Sequence, residues 1–156
     1  MPSSDLRAYF AAPLFNERER TFNKWVVEQL ERHVSVFLPH RDGSLLVNML
    51  AAGVPRLVAE RRVFQQDCGA MQSADVLIAV LDGAHIDEGV AFEIGFMHAL
   101  GKLCIGLQTD VRRALPSGNN PMITQGLDEI LGDVETLVAR IEALARDNAS
   151  SRPVRA

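Results

Sequence analysis

Short apolar runs alternate with stretches of helical spacing along the whole chain. Leu6 to Ala11 reads as a first strand, stopped near Pro13. Asn16 can cap a following helix in which Phe22, Val26 and Leu30 recur every four residues. Val34 to Leu38 gives a second strand, ended by the turn-rich loop Pro39-His40-Arg41-Asp42-Gly43. A short helix is predicted over Leu45 to Ala52. Pro55 then suits the first turn of a longer helix running to about Met71, with Leu57, Phe64, Cys68 and Met71 in one narrow stripe. Ala74 to Leu81 is apolar on both faces, as a central strand should be. Asp82-Gly83 breaks it. A helix is predicted from Glu88 to Leu100, closed by Gly101. Leu103 to Leu107 reads as a fourth strand, Thr109 to Pro121 as loop, and Leu127 to Leu131 as a short fifth strand. An amphipathic helix over Asp133 to Ala145 closes the pattern.

This order predicts an α/β fold, an open sheet of about five mainly parallel strands with helices on both faces. A single domain is expected over residues 1–148, with a flexible tail at 149–156. In such sheets ligands bind beyond the carboxyl ends of the strands, so the residues after Phe10, Leu38, Leu81 and Leu107 matter most.

Composition narrows the function classes. The 156 residues hold 16 Lys+Arg and 20 Asp+Glu, a net charge of −4, and no basic block exists to neutralise phosphates. A nucleic-acid partner is therefore not expected. Val76 to Leu81 is far too short to cross a bilayer, and the amino end lacks a signal-peptide core, so a cytoplasmic protein without a membrane partner is expected. Two cysteines, Cys68 and Cys104, read as core thiols, and no CxxC or histidine cluster points to a metal. The first strand-to-helix turn, Ala11-Ala12-Pro13-Leu14-Phe15, has no glycine, which argues against a dinucleotide cofactor. Walker and Gly-x-Ser-x-Gly spacings are also missing.

The richest stretch is Asp82 to Lys102. Glu93 lies there among Ala91, Phe92, Ile94, Phe96 and Met97, and a carboxylate in apolar surroundings is costly unless paired or hydrogen-bonded. Two readings fit: a residue on a narrow solvated or interface face, or a carboxylate held near the sheet edge for covalent chemistry on a sugar. Asp67 could be a solvated aspartate, Asp87 a helix N-cap, and Tyr9 an ordinary core residue.

Together these residues resemble the nucleoside 2-deoxyribosyltransferase family over nearly the whole chain. The resemblance is carried by Tyr9-Phe-Ala-Ala-Pro-Leu-Phe15, by Asp67-x7-Asp75, by Asp87-x-Gly89-x3-Glu93-x-Gly95 and by Asn120-Pro-Met122. It implies a flavodoxin-like sheet and transfer of 2-deoxyribose between nucleobases, with 2′-deoxynucleosides and free bases as substrates and no cofactor. By position, Glu93 matches the nucleophile, Asp67 and Asp87 two supporting aspartates, and Tyr9 a hydroxyl that orients the nucleophile. Phe15 matches an aromatic wall of the base pocket. Gly89 belongs to the same motif, and Ala11 stands where a glycine is common, which narrows the first loop. Asn120 and Met122 match residues supplied across a subunit interface, so a homo-oligomer with shared sites is expected.

The chemistry suits these residue types. Glu93 would attack C1′ while Asp67, its pKa raised by burial and by a neighbour such as Asp87, protonates the departing base. Glu93 should stay ionised, helped by Tyr9 and the nearby helix start. The nearest rival is a deoxynucleoside 5′-monophosphate N-glycosidase, and a rival of another class is a non-catalytic nucleotide-binding module. The former carries a serine where Asp87 stands, and an aspartate there repels a dianionic phosphate.

Overall fold

A computed structural model describes residues 5–150. Five strands, β1 (Arg7–Ala11), β2 (Ser35–Phe37), β3 (Val76–Val80), β4 (Leu103–Leu107) and β5 (Glu129–Leu131), form one sheet. Their order is β2-β1-β3-β4-β5 and every pairing is parallel. The helices between them are α1 (Glu17–Leu30), α2 (Pro39–Asp42), α3 (Leu46–Ala51), α4 (Arg56–Ser73), α5 (Glu88–Ala99), α6 (Pro121–Thr124) and α7 (Val134–Ser150). Among the described residues no helix is long and apolar enough to cross a membrane.

The two-residue period of each strand divides the core. Ala8, Phe10, Ile78, Val80, Ile105 and Leu107 face α1 and α7, which supply Val26, Leu30, Leu137 and Ile141. Tyr9, Ala11, Leu77, Ala79 and Leu81 face the other way, toward Met71 of α4 and Val90, Ile94 and Met97 of α5. Since β3 is buried on both faces, its continuous apolar run is what a central parallel strand requires. The strand order changes direction between β1 and β3, which puts the switch-point crevice beside Tyr9 and the elements after β3.

Local chemistry sets the connections. Asn16 and Glu19 form a reciprocal capping box at the start of α1. Gly101 takes φ 66° just past α5, the left-handed turn that favours glycine. Asp82 accepts Thr109 N at 2.7 Å and Asp110 N at 2.9 Å, tying together the chain beyond β3 and β4. The exposed edge at β2 is plugged, because Arg41 Nη2 donates to Val36 O at 2.9 Å and Leu38 N donates to Asp42 Oδ2 at 2.8 Å.

Four expectations need correcting. Pro39 to Asp42 is a helical turn rather than open loop, since Pro39 fits its first position and Asp42 bonds back to Leu38 N. Pro121 to Thr124 likewise forms a short helix, capped by Asn120. The α4 stripe joins the core only at its carboxyl end: Met71 is buried and Cys68 packs against the core, whereas Leu57 is 69% and Phe64 55% exposed. Finally, α7 runs to Ser150 and so includes Ala149 and Ser150; the rest of the expected tail, 151–156, lies outside the described residues.

Candidate active site

Tyr9 reaches the site because strand alternation turns its ring toward α4 and α5. The ring is fully buried and stacked on Phe37, with centroids 5.5 Å apart at 16°. Its hydroxyl donates to Glu93 Oε1 at 2.5 Å, across 84 residues of sequence. Glu93 sits in the second turn of α5, one position before the core residue Ile94, so the helix holds its carboxylate over the sheet. Burial pushes Glu93 up to about 7; the Tyr9 hydrogen bond opposes this, while the charges of Asp67 and Asp87 add to it. The Tyr9 hydrogen bond thus favours the anion, as expected, and burial opposes it. Tyr9 itself is raised above the ordinary phenol range by burial and by Glu93, so it remains a donor.

Asp67 lies on α4 across from Glu93, and both line a cavity of about 360 Å³ with Phe64, Cys68, Gly89 and Phe92. Burial alone lifts Asp67 to about 6. The additional push expected from Asp87 is not among its causes; the Asp87 charge acts on Glu93 instead. Asp87 is the N-cap of α5, its Oδ1 accepting Gly89 N at 2.9 Å and Val90 N at 3.1 Å. The cavity is therefore a carboxylate pair under an aromatic rim, since Phe64 and Phe92 lie 5.9 Å apart with about half their surfaces open to solvent. Two carboxyls lining one cavity, both raised by burial, are suited to reacting with a substrate at one and moving a proton with the other.

Other residues singled out from the sequence fall elsewhere. Phe15 is 74% exposed on the loop after β1, which is fixed by Asn23 Nδ2 bonding Pro13 O and by Phe15 N bonding Glu19. Ala11 is fully buried at the end of β1, so its side chain meets core rather than cavity. Asn120 caps α6 and Met122 is 81% exposed; neither lines the Glu93 cavity of its own chain. Cys104 is buried as expected, whereas Cys68 stands at the cavity. Sequence reasoning overlooked the aromatic rim, because Phe64 reads as core at helical spacing, and it overlooked Gln66, whose amide bonds groups more than twenty residues away.

Comparison with known proteins gives a concordant picture. The profile of the family described as nucleoside 2-deoxyribosyltransferase matches residues 8–142. A nucleoside deoxyribosyltransferase of Limosilactobacillus fermentum is 28% identical over 132 residues, covering 81% of this chain and 79% of the relative. Among solved structures, a conserved protein from Enterococcus faecalis V583 superposes with TM-score 0.73 at 24% identity, over 90% of this chain and 99% of that one. A 2-deoxyribosyltransferase from Bacillus psychrosaccharolyticus gives 0.66 at 24% identity, over 86% and 95%.

Proposed function

This chain belongs to the nucleoside 2-deoxyribosyltransferase family, and from that premise we propose that it moves 2-deoxyribose between nucleobases through a covalent intermediate on Glu93. The observation that carries the reading is the Tyr9 Oη to Glu93 Oε1 bond of 2.5 Å beside a second half-buried carboxyl, Asp67. A hydroxyl that donates to one carboxylate oxygen leaves the other oxygen free and aimed. In the first half-reaction that free oxygen forms a bond to C1′ as the C1′–N bond to the base breaks, and Asp67 gives its proton to the departing nitrogen. In the second, a nitrogen of another base attacks C1′, the ester bond to Glu93 breaks, and Asp67 takes the incoming base's proton. Two inversions retain the β configuration. Neither step draws on a cofactor or metal.

Incubation with a deoxynucleoside and a panel of free bases is expected to give exchanged nucleosides by chromatography. A 2-fluoro-2-deoxy nucleoside should leave a mass adduct on the Glu93 peptide. An adduct elsewhere, or released sugar with no exchange, would count against the reading.

Asn120 and Met122, outside the cavity of their own chain, are assigned to the cavity of a second copy in a homo-oligomer. Mixing Glu93→Ala protein with Asn120→Ala protein should then restore transfer that neither shows alone. Continued inactivity of the mixture argues for self-contained sites.

The alternative of a 5′-monophosphate N-glycosidase is disfavoured by Asp87. Its carboxylate already occupies the α5 amides that could bind a phosphate, and it adds like charge. Serine can still cap those amides but carries no charge and adds a hydroxyl donor, so Asp87→Ser should lower KM for a deoxynucleoside monophosphate by roughly tenfold while weakening turnover of the free nucleoside. An unchanged KM would remove Asp87 from substrate selection.

A further inference from the structure

Gln66 precedes Asp67 on α4 and turns its carboxamide toward the chain after β2. Its Oε1 accepts Ser44 N at 2.9 Å and its Nε2 donates to Asp42 O at 3.3 Å. Both partners are backbone, so one side chain grips the segment on either side of Gly43. The other end of that segment is held by Leu38 N bonding Asp42 and by Arg41, which bonds Val36 O and Glu31. Between the two anchors Gly43 closes on Asp67: a Cβ there would stand 3.5 Å from Asp67 Oδ1 and 2.5 Å from Pro39 O. Pro39 O leaves no room for a side chain at Gly43, so bare backbone lies against the Asp67 carboxyl.

We propose that Gln66 is a positioning residue for the transfer, clamping the backbone of residues 42–44 over Asp67 so that water is excluded from that carboxyl. The inference rests on Asp67 being the acid of the proposed reaction. Burial is the cause that raises Asp67, so a loosened clamp lowers its proton affinity. The titratable groups set around Asp67 are Glu93 of α5, Tyr9 of β1, and Cys68 and Glu60 of α4. On α2, Asp42 and Arg41 bond each other, and His40 is lowered by burial and by the charges of Arg20 and Arg41. Replacing the neutral Gln66 changes none of these charges.

The sign of the effect follows from which form is active, Glu93 ionised with Asp67 protonated. Well above both pKa values activity is proportional to the small fraction of Asp67 still protonated, so it falls tenfold for each unit by which that pKa drops. Well below both, Asp67 is protonated in either protein and only Glu93 ionisation limits, so nothing changes.

The test measures kcat/KM for base exchange from about pH 4.5 to 8.5 in wild type, Gln66→Met, Gln66→Leu and Asp67→Asn. Methionine keeps the length of glutamine without its donor or acceptor, and leucine repeats the loss in another shape. Both Gln66 variants are expected to lose about tenfold at pH 8 and to match wild type at pH 4.5, with thermal unfolding little changed. A uniform loss at every pH, or no loss at pH 8, overturns the clamp. If Asp67→Asn itself keeps the wild-type decline on the alkaline side, the acid assignment fails first, and that outcome is distinct from an unshifted Gln66 variant in a protein whose decline does depend on Asp67.

Discussion

Glu93→Gln should abolish transfer and, at pH 8, make the protein more stable. The loss of activity follows from the proposed role: an amide oxygen would not form the ester to C1′, and removal of a nucleophile usually costs roughly four orders of magnitude or more. The stability gain follows from linkage. Glu93 is raised from 4.5 to about 7 in the folded chain, with burial as the largest cause. Unfolded protein therefore releases this proton first as pH climbs, the folded state binds more protons between the two values, and stability falls across that interval. Above pH 7 the penalty is fully developed, on the order of 3 kcal/mol for a shift of this size. Glutamine carries no charge and can still accept from Tyr9, so it escapes the penalty. For a chain of this length that amounts to a Tm roughly 5–10 °C above wild type at pH 8, shrinking to nothing near pH 4.5. Glu93→Ala should be equally inactive and still folded. Scanning both proteins calorimetrically at the two pH values checks the claim: near-normal turnover removes Glu93 as nucleophile, and equal Tm at pH 8 removes the burial penalty.

The same residue shows what the sequence could and could not convey. Glu93 was conspicuous because its neighbours Phe92, Ile94, Phe96 and Met97 are apolar, and the β3 run marked the centre of the sheet for the same reason of double-sided burial. Local signals of this sort survive translation into structure, as Asn16, Asp87 and Gly101 do at their helix ends. What the chain does not write locally is pairing at a distance. The bond from Tyr9 to Glu93 spans 84 residues, and without the family resemblance Tyr9 is indistinguishable from core. Gln66 looks like any solvated glutamine, because its partners lie 22 and 24 residues back. Phe64 misleads in the opposite direction: helical spacing says only that residues share a face, and this face meets the core at Met71 but borders a cavity at Phe64.

The coupling of the two carboxyls also bears on how the pair works. Burial raises both Asp67 and Glu93, and the charge of Asp67 raises Glu93 further, so the two groups titrate as a pair. Asp67→Asn should consequently do two things at once. It removes the proposed proton donor, which lowers transfer from a deoxynucleoside with a poor leaving base by roughly 10²–10⁴-fold. It also removes a negative charge that raises Glu93, so the acidic limb of the pH profile moves to lower pH. The alkaline decline disappears, since no acid remains to be deprotonated. A base that departs easily without a proton should lose far less rate than a poor one, because its C1′–N bond breaks without help. Comparing kcat for good and poor leaving bases in Asp67→Asn decides the matter: equal losses for both would mean that Asp67 positions the sugar rather than protonates the base.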